Sequence, residues 1–234
     1  MDMSEKIVYQ YLAAQGFTDV VYEPDGNVMP DFLVDGRIAV EVRRLNQHEE
    51  TNAGLRGLEE VAMPLSYVVK QVLDSMGPSR SGPSWFVVYE YQRPLPSWQE
   101  LKRALTRTLK RLGELPDVPQ SRINVAPHFD IWLIRSTNDY PMRFLPGACI
   151  DHDRGGCVLS EMRRNLEICM AEKSRKAANV QSRYPEWWFV LVDHIGGELT
   201  VEELQQLRAL VTIEQPWEKV ILVNPSHPER GLEL

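Results

Sequence analysis

Apolar residues recur at helical spacing in some stretches of this chain, and at alternate or continuous positions in others. The two patterns succeed one another along its length. Ser4 is placed to cap a helix whose Ile7, Val8, Tyr11 and Leu12 share a face, with Gly16 as its stop. Residues 17–24 read as a strand, closed by the turn Asp25-Gly26-Asn27, and 30–34 with 37–44 as a hairpin. A helix is expected over 54–76, which Pro64 must kink, break or start. Residues 79–83 read as a loop, 85–91 as a buried strand and 97–112 as a helix. The stretch 113–128, with Pro116, Pro119 and Pro127, reads as a loop, and 129–134 as a strand. Residues 140–158 divide between short strands and loop. A helix over 160–178, a core strand over 187–193, a helix over 200–210 and a last strand over 219–223 complete the pattern. This alternation predicts an α/β fold, and one domain over 1–234 is preferred to two.

The hairpin carries the chemistry. From Phe32 to Val42 the even positions Phe32, Val34, Ile38, Val40 and Val42 are apolar, while Asp31, Arg37, Glu41 and Arg43 are odd. Side chains alternate faces along a strand, so the turn length decides whether the two strands agree. A two-residue Asp35-Gly36 loop would mix polar and apolar residues on both faces. A three-residue Val34-Asp35-Gly36 loop with Gly36 left-handed pairs 33 with 37 and keeps the sets apart. Asp31, Glu41 and Arg43 then share one face. Converging carboxylates repel unless a proton or cation lies between them, and an all-oxygen site suits a hard divalent ion that can activate water on a phosphodiester. The plainer account is a solvated hairpin face whose charges pair across the strands.

Pro30-Asp31, nine intervening residues and Glu41-Val42-Arg43 resemble the signature of the PD-(D/E)xK nucleases, and Glu5 on the preceding helix sits where that family carries a further carboxylate. The resemblance implies a restriction-endonuclease-like core, a mixed central β-sheet flanked by helices. It implies Asp31 and Glu41 as ligands of Mg²⁺ or Mn²⁺, Val42 as a carbonyl ligand and Glu5 as an accessory acid. It also puts Arg43 in the position of the family's lysine. A guanidinium does not deprotonate near neutral pH, so Arg43 can serve as a fixed charge but not as a base. Lys70 is a candidate for a displaced amine, although a solvated helix lysine accounts for it more simply.

Charge adds candidates for substrate contact. The chain is acidic, at −7, yet Lys102, Arg103, Arg107, Lys110 and Arg111 gather on the polar side of a helix whose Leu101, Leu105, Leu109 and Leu112 face a core. Lys173 and Lys176, ahead of the strand opening Trp187-Trp188, form a second basic region; the two tryptophans are expected to pack one in each layer. Cys149, Cys157 and Cys169 are an odd count without CxxC spacing and read as free thiols. Neither a signal h-region nor a membrane-length apolar run is seen, so a cytoplasmic protein without a membrane partner is expected. Asp151-His152-Asp153 reads as a polar loop, and His128 and His194 as edge or cap residues. The expectation is a metal-dependent nuclease-like enzyme hydrolysing DNA. The alternative is an inactive nuclease-fold module that binds nucleic acid or a protein partner.

Overall fold

The computed structural model describes residues 1–52, 54–78, 83–115, 121–138 and 140–234. Most of the loop expected at 79–83, and Pro116 and Pro119 of the proline-rich stretch, lie outside the described residues. No helix among the described residues is long and apolar enough to cross a membrane.

Where one domain is expected, contacts group the chain into two compact units. The first joins Met1–His48 to Gly155–Leu234, and the second is the intervening Glu49–Arg154. Each has its own core and its own main sheet.

The first unit is a six-stranded mixed sheet. Helix α1 (Met3–Ala14) leads into β1 (Val20–Tyr22), β2 (Phe32–Val34) and β3 (Ile38–Leu45), an antiparallel meander. After the second unit come α4 (Val158–Ala177) and β10 (Glu186–Asp193), which pairs parallel to β3. Helix α5 (Val201–Leu210) then leads to β11 (Lys219–Asn224), parallel to β10, and to β12 (His227–Glu233) at the antiparallel edge. One layer buries Val8 and Leu12 of α1 against Val40, Val42, Val190 and Val192. The other buries Met162, Leu166 and Cys169 of α4 against Ala39, Leu45, Phe189 and Leu191. Trp188 belongs to the first layer and Trp187 to the second, one on each face, as strand alternation requires. Against α1, β12 packs so closely that a side chain at Gly231 would collide with the Tyr11 ring.

The second unit takes up the chain within β4 (His48–Thr51), which pairs with β5 (Gly54–Gly57) and is followed by α2 (Glu59–Ser75). A four-stranded sheet follows in the order β7 (Ile123–Ala126), β8 (Phe129–Arg135), β6 (Trp85–Tyr91), β9 (Phe144–Asp151), with α3 (Trp98–Glu114) between β6 and β7 in the chain. Leu101, Leu105, Leu109 and Leu112 of α3 and Leu65, Val69 and Val72 of α2 bury the odd-numbered side of β6.

Several elements differ from the sequence expectation. The cap of α1 is Asp2, not Ser4, and it forms a reciprocal capping box with Glu5. The expected strand 17–24 is confined to Val20–Tyr22. The helix expected from residue 54 starts at Glu59, because 54–57 pair with β4. Pro64 lies within α2 on its exposed side, where water can satisfy the carbonyl that the missing amide leaves free. Ile123–Ala126, expected as loop, forms β7. The strand over 219–223 is not the last one. His227–Glu233 follows as a polar edge strand that carries a proline, and its pattern has no apolar alternation to reveal it.

Candidate active site

The β2–β3 turn decides how the carboxylates meet. Asp35 and Gly36 both adopt left-handed backbone, with φ of 50° and 66°, and the Arg37 amide donates to the Val34 carbonyl. The ladder pairs Phe32 with Val40, Leu33 with Ala39 and Val34 with Ile38. The connection is therefore Asp35-Gly36-Arg37, and the expected pairing of 33 with 37 is corrected by one step on each strand. Parity is unchanged, because either three-residue connection matches even with even, and Phe32, Val34, Ile38 and Val40 are all buried. Continuing the ladder one pair past Phe32 sets Asp31 opposite Glu41.

Asp31 lies just beyond the end of β2, and its side chain takes over where the ladder stops: Oδ2 accepts from the Val42 amide at 2.7 Å. Glu41 sits in the middle of the sheet, between β2 and β10 and beneath α4, with 1% of its surface exposed. Its Oε1 accepts from Lys173 Nζ, while its buried Oε2 has no hydrogen-bond partner among the described residues. Burial and the nearby charge of Asp31 push the Glu41 carboxyl up to about 7, with Lys173 pulling the other way. Burial also raises Asp31, opposed by the Val42 amide and Lys173 and reinforced by Glu5 and Asp2.

These groups line a cavity of about 560 Å³ within the first unit, bounded by Glu5, Asp31, Glu41, Lys173, Lys176 and the loop from Glu23 to Met29. Glu5 reaches it from α1, where the Tyr22 hydroxyl donates to its Oε2 at 3.0 Å. The loop is held at both ends of its excursion. The Glu23 amide donates to the Asp31 carbonyl at 2.8 Å, and Asp25 accepts from Arg183 at 3.2 Å and from the Tyr184 hydroxyl at 3.1 Å.

Arg43 and Lys173 exchange the places expected of them. Arg43 lies on the Glu41 face of β3, but its Nη2 pairs with Glu172 of α4 at 3.1 Å, and it is absent from the cavity lining. Lys173, expected only as a secondary contact for nucleic acid, is the cation on Glu41, and its side chain is 14% exposed. Lys176 also lines the cavity, held by Glu172 at 2.8 Å. Lys70 lies on α2 in the second unit and pairs with Asp74 at 2.7 Å. A signal for Lys173 is present in the sequence: it falls on the stripe Met162, Leu166, Cys169, Met170, Ala177 that α4 buries. A lysine in a core stripe needs a buried acid to meet it.

Among the described residues no group of three or more His, Cys, Asp or Glu side chains is positioned around one point for a metal. The donors that do converge are all oxygen, two carboxylates with one orphaned atom, which suits a hard divalent ion better than zinc or copper. Asp151 and Asp153 instead hold Arg93, and His152 bonds Glu90 at 2.9 Å. His128 occupies the β7–β8 turn with φ of 59°, and His194 ends β10 with its amide on the Leu45 carbonyl. Cys149 and Cys157 are exposed and Cys169 is buried, all three as free thiols. The basic face of α3 is exposed in the second unit. Comparisons with protein-family models, with curated proteins and with solved structures found no match.

Proposed function

We propose that Asp31, Glu41 and Lys173 form the active site of a metal-dependent nuclease-like enzyme that hydrolyses phosphodiester bonds of DNA. The carrying observation is the buried Glu41, opposite Asp31 at the wall of a cavity, with one oxygen on Lys173 and the other buried without a hydrogen-bond partner among the described residues. The order α1, β1, β2, β3, then α4 and β10 beside β3, supports a restriction-endonuclease-like core with residues 49–154 inserted between β3 and α4.

In this reading Asp31 and Glu41 hold Mg²⁺ or Mn²⁺. The Val42 carbonyl is available to join them, since its amide already turns toward Asp31 past the end of β2, and the amide and carbonyl of one strand residue leave on the same side. The ion, when bound, supplies an activated water and charge stabilisation at the phosphoryl group. Burial first, and then the charge of Asp31, push the Glu41 carboxyl up to about 7, and a divalent cation would offset that unfavourable negative charge. Lys173 balances Glu41 and presents an ammonium to an incoming phosphate, the part the family's lysine plays from the strand. Arg43 positions α4 through Glu172. Glu5 adds a third carboxylate at the rim, held by Tyr22.

A non-catalytic module on the same fold is the second reading. It is favoured by Lys173 already pairing with Glu41, where no three-residue metal group is found among the described residues. The two separate on Mn²⁺ calorimetry and on nicking of supercoiled DNA. The enzyme reading expects binding and cleavage that both vanish in Asp31→Asn and Glu41→Gln. It expects cleavage reduced on the order of 10²-fold in Lys173→Ala, the loss typical of one electrostatic contact to the transition state. Cleavage that persists in both carboxylate variants would end it.

A further inference from the structure

We infer that the exposed face of α3 in the inserted unit is a docking surface for the phosphodiester backbone of a nucleic acid. The choice of polyanion rests on the proposed phosphodiester chemistry of the first unit; the surface itself rests on independent observations.

Ser97 starts α3 with a capping box to Glu100, and four leucines fix its rotation by burying one side completely. That rotation leaves Lys102, Arg103, Arg107, Lys110 and Arg111 exposed over roughly half the circumference and ~14 Å of length, at 1.5 Å per residue. No acid interrupts the stretch from Leu101 to Gly113. Among the described residues none of the five forms an ion pair, whereas Lys70, Arg163 and Lys176 on other helices each meet an acid four residues away. Lys102 donates to the neutral side-chain amide of Gln71 at 3.0 Å. Four of the unit's acids are engaged elsewhere, Asp151 and Asp153 on Arg93 and Glu90 and Asp130 on Arg122, while Glu100 in the first turn of α3 lies within the field of Arg103 without pairing to it.

The distribution of charge between the units points the same way. Residues 49–154 hold thirteen Lys and Arg and thirteen Asp and Glu, so the whole formal charge of −7 belongs to the first unit. A polyanion is repelled by the net charge of the first unit and is drawn by a local field to α3. Backbone contacts of this kind give affinity without sequence readout, and release of counterions makes that affinity steeply salt-dependent.

The test is fluorescence anisotropy of the full chain with a labelled DNA duplex in EDTA, across a salt series, with an RNA duplex and poly-glutamate as further probes. The triple variant Arg103→Ala, Arg107→Ala, Lys110→Ala is expected to bind the DNA at least ~10-fold more weakly and to lose about 3 from the slope of log affinity against log salt. Arg163→Ala, which removes an exposed but paired cation, should bind as the wild type does. A circular dichroism melt confirms that both variants fold. Equal weakening for the RNA duplex supports the same backbone surface. Unchanged affinity in the triple variant, absence of binding by the wild type, or poly-glutamate competing as well per charge as DNA would overturn the inference. Asp31→Asn keeps the two proposals apart, since it should abolish cleavage and leave this binding intact.

Discussion

Arg93 in the inserted unit and Glu41 in the first unit are charged side chains with 4% and 2% of their surface exposed, and their surroundings treat them in opposite ways. Arg93 donates to Asp151 at 2.7 and 3.0 Å, to Asp153 at 3.0 Å and to the Leu58 carbonyl at 2.8 Å, while the Tyr91 hydroxyl donates to Asp151 at 2.8 Å. Burial alone would raise Asp151, but hydrogen bonds from Arg93 and Tyr91 and the Arg93 charge hold it below the usual carboxylate range. At Glu41 a single lysine faces two crowded carboxylates, burial prevails, and the acid is pushed up. Both clusters combine acids with a cation. One is met by four guanidinium hydrogen bonds and ties a loop to a sheet; the other has a single lysine contact and, among the described residues, leaves a carboxylate oxygen without a hydrogen-bond partner at the wall of a cavity. Perturbation toward the neutral form, a carboxylate oxygen left without a partner among the described residues and an open space beside it set the Glu41 cluster apart from the Arg93 ion pair.

The sharpest way to break this comparison is thermal denaturation of Arg93→Ala beside Glu41→Gln at pH 8. Removing Arg93 strands partly buried carboxylates and should cost about 3–5 kcal/mol, whereas Glu41→Gln should cost far less because it also removes a poorly compensated charge. Equal losses would mean that the two clusters do the same structural work. Divalent metal gives the next largest effect. Mn²⁺ at a hundred times its Kd should add about 2.7 kcal/mol to wild-type stability and nothing to Asp31→Asn or Glu41→Gln. A gain that survives in those variants would locate the ion elsewhere.

The pH dependence is smaller and has opposite signs in the two places. Glu41, at about 7 against an ordinary 4.5, binds its proton more tightly in the folded chain. Stability should therefore fall as pH rises through that window, by at most about 1.4 kcal/mol per pH unit, and level off above it. Denaturant melts between pH 4.5 and 8 should be flatter for Glu41→Gln, and an equally steep decline in that variant would contradict the assignment. Asp151 is depressed, so its contribution is present above the unfolded value and is lost as pH falls below it. Arg43→Ala should do least, about 1 kcal/mol or less, because its bond to Glu172 is partly solvated. Cleavage that depends on Arg43 more than on Lys173 would return the lysine's part to the strand.

Elements that bury a face were legible from residue pattern. The leucines of α3, the apolar runs of β6, β10 and β11 and the even positions of the β2–β3 hairpin each leave one arrangement that hides them from water. Parity alone put Asp31 and Glu41 on one face, because a strand repeats every two residues and a wrong parity would have exposed Phe32 and Val40. Pattern was silent on β12 and β7, which are edge strands with little to bury, and on the start of α2, where a short hairpin competes with helix. Which cation meets Glu41 was not legible there and depends on packing. Arg43 is near Glu41 in sequence and Lys173 is 132 residues away, yet α4 crosses β3 so that Glu172 draws Arg43 aside and Lys173 reaches Glu41. Local alternation fixes the face on which a charge lies; the partner that meets it is set by packing between elements distant along the chain.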